Sequence, residues 1–258
     1  MSSVLIEHDG PVLRLTLNRP EVRNAFDEEM IQVLSTAALH ASEDSSVRAV
    51  VLAGTGKAFC AGADIGWMAK AIAYSRQENL SDAEDLARLL ERLDTLPVPV
   101  IGRIQGPALG GGVGLAAICD IVVAANDAVF ALSEVKLGIL PAVVAPYVLR
   151  KIGISAAREL FLTGVRFDAA RAREIGLVHD VVKESDLDAA VRRRVDDVLA
   201  ASPQGIAKAK ALIREIAGAH PEDVIGITTN AIASQRVSDE GQEGLRAFLE
   251  KRKPSWKA

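Results

Sequence analysis

The sequence predicts an α/β fold with a helical C-terminal region, and three observations carry that expectation. Short β-branched runs alternate with helical segments through about the first 190 residues. Two separate glycine-rich loops each follow an apolar strand. From Asp186 onward the pattern is helical throughout. Strands interleaved with helices imply a sheet covered by helices. We therefore expect an α/β body over residues 1–190 and a helical region over 191–258 suited to oligomerisation. The 258-residue length fits one large domain or one domain with a small appendage.

The chain opens with β signal. Val4–Ile6 is followed by Leu13, Leu15 and Leu17 alternating with Val12, Arg14 and Thr16, and Asp9-Gly10 between them is a hairpin turn. Pro20 ends this stretch. Asp27 is a helix N-cap with Glu28 and Glu29 in the first turn, where the helix dipole favours them. Met30, Val33, Leu34, Ala37, Ala38 and Ala41 give that helix one apolar face. Val47–Ala53, bounded by glycines, reads as a buried strand. A Gly/Ala-rich loop over 54–67 leads into one long polar helix, from about Lys70 to Leu96, stopped by Pro97 and Pro99. Val100–Ile104 is a strand, the glycines from Gly106 to Gly114 open a short apolar helix, and Ile121–Ala125 and Val129–Leu132 are strands. After Leu137 the pattern is helical, with β signal only near Val178–Val182. The tail carries apolar faces through Leu187, Val191, Val195, Val198 and Leu199, then Leu245, Phe248 and Leu249.

Composition removes several function classes. A net charge of −4 supplies no basic field for nucleic acid or an anionic membrane. No uninterrupted apolar run reaches the length of a membrane span, because Asp120 and Asn126 divide the best region. Cys60 and Cys119 cannot build a disulfide framework, and Met1–Glu7 lacks the apolar core of a secretory signal. A soluble, cytoplasmic protein with two small buried thiols is expected. His8, His40, His179 and His220 are scattered, so no metal site is expected. Neither Gly110–Gly114 nor Gly54-Thr55-Gly56-Lys57 fits a nucleotide loop, and no G-x-S-x-G elbow is present. Two glycine loops remain, one of them at a helix start. Unpaired backbone N–H groups there could meet a developing oxyanion; tight packing of the loops is the plainer alternative.

The local sequences narrow this further. Leu17-Asn18-Arg19-Pro20-Glu21-Val22-Arg23-Asn24-Ala25-Phe26, Lys57-Ala58-Phe59-Cys60-Ala61-Gly62-Ala63-Asp64-Ile65 and Gln105-Gly106-Pro107-Ala108-Leu109-Gly110-Gly111-Gly112 with Cys119-Asp120 resemble, in order and spacing, segments of the crotonase (enoyl-CoA hydratase/isomerase) superfamily. Leu162-Thr163-Gly164, Gly176-Leu177-Val178 and Glu243-Gly244 extend the resemblance to about residue 256. It implies a spiral of ββα units, assembled as a homotrimer or homohexamer, acting on an acyl-CoA thioester with no separate cofactor.

Carried over by position, the resemblance assigns the oxyanion donors to the backbone N–H groups of Ala63 and Gly111. It assigns the coenzyme A contacts to Arg23, Ala25, Ala61, Ala63, Asp64, Ile65, Gly66 and Gly111, and it implies that Lys251, with Phe248, closes over an acyl-CoA site. Glu134 falls on an acid–base position, although a surface ion pair with Lys136 is also open to it. The partner position, a second glutamate in hydratases, is Gly114. The stretch from Glu134 to Gly153 resembles a branch associated with methylglutaconyl-type thioesters, and the missing side chain at 114 would make room for such an acid. Three readings follow: hydration of a 2-enoyl-CoA by Glu134 alone, Δ3,Δ2-enoyl-CoA isomerisation, or acyl-CoA binding without turnover. Asp120 is expected to be structural.

Overall fold

In the computed structural model, which describes residues 2–257, the hairpin reads as the sequence implies. β1 (Val4–Asp9) and β2 (Val12–Leu17) pair antiparallel in unbroken register, with Gly10 at φ +58° in the turn. Helix α1 (Glu28–Glu43) starts at Asp27, whose carboxylate accepts from the Met30 N–H at 3.0 Å. β3 (Ala49–Gly54), β4 (Val100–Ile104), β6 (Ile121–Ala125) and β9 (Asp180–Val182) then add in parallel, giving a six-stranded sheet ordered β1-β2-β3-β4-β6-β9. A second sheet holds β5 (Pro107–Leu109), β7 (Val129–Ala131) and β8 (Arg166–Asp168).

The spiral follows from how the units divide between these sheets. In β4–β5–α4 and β6–β7–α5, the first strand joins the large sheet, the second joins the small one, and a helix follows. These helices are α4 (Gly111–Ile118) and α5 (Ala145–Thr163). After β3, the chain reaches the small sheet only through a one-residue bridge from Cys60 to Ala108. That bridge brings the first glycine loop beside the second.

Period-two alternation explains why β3 is apolar throughout. Val50 and Leu52 face one core with Leu13, Leu15, Met30, Leu34 and Leu90, while Ala49 and Val51 face another with Leu187, Val191 and Val195. The second core rests on α7 (Leu187–Leu199). Residues 191–199 thus belong with the sheet, and the more exposed helical region begins later. It comprises α8 (Pro203–Gly218), α9 (Val224–Val237) and α10 (Asp239–Leu249), which among them fully bury only Ala247.

Three expectations change. The polar stretch after the first glycine loop is two helices, α2 (Ile65–Ala73) and α3 (Arg76–Thr95). Ser75 restarts the chain with a capping box, its hydroxyl accepting from the Glu78 N–H and the Glu78 side chain accepting from the Ser75 N–H. Helix therefore begins at Ile65, inside the expected loop. β5 and β8 are strands in regions read as loop and helix; at three residues each they are too short for a periodicity to register. Between α5 and β9 the chain also forms α6 (Ala169–Glu174).

Candidate active site

The first glycine loop is held by buried amides. Asn24, fully buried and in the left-handed region at φ +56°, donates from its side chain to the carbonyls of Thr55 and Ala58, both at 2.8 Å, and accepts from the Arg19 N–H at 2.9 Å. Gln105 donates to the Gly54 carbonyl at 2.6 Å. Arg23, also left-handed, accepts from the Ala61 N–H at 2.9 Å. The Arg19 guanidinium meets the Asp27 carboxylate at 2.9 Å and that of Asp64 at 3.0 Å. Asp64 caps α2, accepting from Gly66 and Trp67 N–H groups. Burial would raise its carboxyl, but those donors and Arg19 outweigh it and hold it below the ordinary value.

This scaffold aims the Ala63 N–H. The Phe26 N–H donates to the Gly62 carbonyl at 2.9 Å, and the Asp64 N–H donates to the Phe26 carbonyl at 3.0 Å. Successive residues of an extended segment turn their polar groups to opposite sides, so Ala63 between them turns its N–H away from Phe26. No acceptor for it occurs among the described residues. Gly111 begins α4, and the N–H of a first helical residue has no intrahelical partner. Gly62 (φ +90°) joins the two loops: a Cβ there would lie 2.9 Å from the Leu109 carbonyl oxygen and 3.7 Å from the Gly111 nitrogen. Only glycine permits that approach.

Both positions line one cavity of about 600 Å³ together with Ala61 and Glu134. Its walls come from Phe26, Trp67, Met68 and Leu86, and from Leu137 and Ile139–Val144. Phe26 packs its ring against Trp67, centroids 5.9 Å apart, and the Trp67 Nε1–H donates to Asp82 at 2.8 Å. Among the described residues, Glu134 is the only ionisable one in that lining. It lies at the start of a short 3-10 turn, with Oε1 facing Gly110: a Cβ at Gly110 would lie 3.1 Å from it. Oε2 is buried and has no hydrogen-bond partner among the described residues. Burial raises the carboxyl above the ordinary glutamate value, partly offset by its own backbone N–H. It makes no ion pair with Lys136.

The remaining expected residues are spread more widely. Arg23, Ala25 and Asp64 lie in the loops leading to the cavity and Ile65 and Gly66 in the first turn of α2, all outside its lining, Ile65 being 81% exposed. Lys251 follows α10 at φ +54° and does not line the cavity of its own chain; neighbouring Phe248 is 82% exposed. Room at position 114 needs correction. A Cβ on Gly114 would lie 2.3 Å from Val144 Cγ1, so that space is filled. Asp120 accepts from the Val100 N–H at 2.7 Å and pairs with Lys210 at 2.6 Å, tying β4 to α8. Cys60 and Cys119 are buried, their thiols pushed up to about 12 by desolvation. Sequence reasoning missed Trp67, Met68 and Leu86, and it singled out the segment 139–144 only within the Glu134–Gly153 resemblance, not as a cavity wall. Only the apolar run Ile139–Val144 on a loop signalled a wall, since a solvated loop would be polar.

A spiral α/β fold with two free N–H groups and one half-buried carboxylate in a common apolar cavity defines the class of crotonase-fold enzymes. The profile of the family described as enoyl-CoA hydratase/isomerase matches residues 7–258, and the chain belongs to that family. A solved enoyl-CoA hydratase of Shewanella pealeana is 43% identical, with a TM-score of 0.95 over 98% of this chain and 96% of that one. An enoyl-CoA hydratase of Mycobacterium smegmatis is 35% identical, with a TM-score of 0.95 over the whole of both chains. An enoyl-CoA hydratase of Alternaria alternata is 38% identical over 223 residues, covering 84% of this chain and 71% of that protein.

Proposed function

We propose that the protein adds water across the double bond of a 2-enoyl-CoA thioester, with the Ala63 and Gly111 N–H groups binding the thioester oxygen and Glu134 as acid and base. One observation carries this reading: a buried carboxyl oxygen without a partner shares a cavity with two backbone donors that have none. Glu134 takes a proton from water as the water oxygen bonds to C3. The π electrons move to the thioester oxygen, giving an enolate that the two donors stabilise more than the ground state. The enolate then re-forms the carbonyl and C2 takes the proton from Glu134. Coenzyme A arrives as part of the substrate, and no further cofactor is needed.

Among the described residues, the lining contains no Lys or Arg, and Glu134 would repel a second carboxylate. An uncharged branched acyl chain fits this cavity better than a carboxylated one. Isomerisation is the second reading, favoured by the same lone acid: one carboxylate can carry a proton between C2 and C4, and no other side chain of the lining can hold water by ionic hydrogen bonds. We further propose that α8–α10 join copies of the chain into a trimer or hexamer. Ile225, Ile232, Val237, Leu245, Phe248 and Leu249 stand exposed there, and Lys251 would reach a neighbouring copy's coenzyme A. No described helix is long and apolar enough to cross a membrane, and we propose a cytoplasmic location.

The test is incubation with 2-enoyl-CoA and 3-enoyl-CoA esters in H₂¹⁸O. Label in a 3-hydroxyacyl product supports hydration. Double-bond migration without label replaces it with isomerisation, and tight ester binding with no product leaves only a binding role.

A further inference from the structure

Phe26 touches both donor loops, each in a different way. Its backbone forms a one-residue parallel bridge with Ala63: the Phe26 N–H donates to the Gly62 carbonyl at 2.9 Å, and the Phe26 carbonyl accepts from the Asp64 N–H at 3.0 Å. Its ring reaches the other loop. A Cβ built on Gly111 would lie 2.7 Å from Cε1 and 3.3 Å from Cε2, with Cζ closer still, so the ring edge occupies the place of the side chain that Gly111 lacks. A Cβ sits one bond from its Cα, which puts that edge in van der Waals contact with the Gly111 backbone. The ring has little room to swing away. Phe26 is 3% exposed, and Trp67 of α2 packs on it with centroids 5.9 Å apart.

This contact answers a weakness of the site. Glycine has more backbone freedom than any other residue, and the N–H of Gly111, first in α4, lacks an intrahelical bond to hold it. Two donors act together only while both point at one oxygen, and a misplacement of about 1 Å can cost about 10²-fold in rate. Phe26 is a single rigid side chain, tied by its own backbone to the Ala63 segment and pressed against the Gly111 backbone. We propose that Phe26 is a positioning residue that sets the spacing of the two oxyanion donors. The inference rests on the acyl-CoA reading above and holds for hydration and isomerisation alike, because both pass through a thioester enolate.

The test reads the donors directly. Acetoacetyl-CoA, a 3-ketoacyl thioester, has an enolate that absorbs in the near ultraviolet, so a pH titration of its complex reports how far the site favours enolate over keto form. Phe26→Leu withdraws the ring edge from Gly111. It should leave about 10-fold less enolate at a given pH below the midpoint, part of the roughly 10²–10³-fold that follows outright loss of a donor. With the enoyl-CoA ester that the protein turns over, kcat should fall by a similar factor while KM changes little. Phe26→Met keeps the reach of the side chain and should recover most of both. A midpoint unmoved in Phe26→Leu, or moved equally in Phe26→Met, overturns the inference; so does a rise in KM with kcat unchanged, which would make Phe26 an ordinary wall of the cavity. A lowered melting temperature with an unmoved midpoint overturns it too, as packing alone. If the unaltered protein binds the ester with no more enolate than free solution shows, the acyl-CoA reading fails, whatever the Phe26 variants do.

Discussion

The two walls of the cavity are built on different principles. One presents backbone donors and Glu134, and every segment of it is fixed by hydrogen bonds. Asn24 and Gln105 grip residues 54–58, the Phe26 bridge sets Ala63, and the Gly110 N–H donates to Ala131 at 2.8 Å. The facing wall runs from Leu137, at the end of the 3-10 turn, through Ile139–Val144; its side chains are apolar and meet by packing, and Leu137, Ile139 and Leu140 are exposed. Donors aimed at developing charge must not move during reaction, because their value lies in costing no reorganisation. A surface that only excludes water and fits carbon can tolerate change.

That contrast can be broken, and the sharpest blow falls on the charged wall. Glu134→Gln should lower turnover about 10³-fold while calorimetry still detects binding of an acyl-CoA ester; near-normal turnover would remove Glu134 from the chemistry. Its pH dependence follows from the raised carboxyl. The base form is lost as pH falls, so kcat/KM should decline on an acid limb lying above the ordinary glutamate value. Stability runs the other way. Between the unfolded and folded values the folded chain holds the extra proton, so rising pH destabilises it through that window. Denaturant titrations of Glu134→Gln should lack this decline.

Gly62→Ala comes next. Its φ of +90° and the 2.9 Å approach to the Leu109 oxygen leave a methyl group nowhere to go, so both donors should be re-aimed. A fall in kcat of about 10²-fold with KM little changed is expected; an unchanged kcat would show that the donors need no fixed aim. Asn24→Leu probes the scaffold behind them. It strands the Thr55 carbonyl and the Arg19 N–H and leaves the Ala58 carbonyl only a long bond from Gln105, at about 3 kcal/mol in total. On a chain of this size that is roughly a 6–12 °C loss in melting temperature. Leu140→Ala, on the packed wall, should be the mildest, raising KM a few-fold with kcat nearly unchanged. A kcat loss like that of Gly62→Ala would erase the distinction between the walls.

How much of this was written in the chain differs along the same division. β1, β2, α1 and β3 follow from alternation, a turn and a cap, all of which act within a few residues. Ala63 and Gly111 were placed through the resemblance of their loops to the family's segments; the glycines alone, such as Gly62 at φ +90°, marked only close backbone approach. The packed wall was hidden. Nothing near Gly114 tells that Val144, from the far side of two strands, occupies its missing side chain. Trp67 joins the cavity only because Asp64 starts α2 earlier than hydropathy suggests. β5 and β8 exist because neighbouring strands offer them partners, not because three residues carry a pattern.

Arg19 reaches beyond the cavity. Its single guanidinium answers the capping carboxylates of two helices, Asp27 of α1 and Asp64 of α2, so the two cannot be edited independently. A replacement at 19 would loosen together a helix packed on the sheet and one whose Trp67 lines the cavity, and evolution must find a joint solution or leave all three side chains alone.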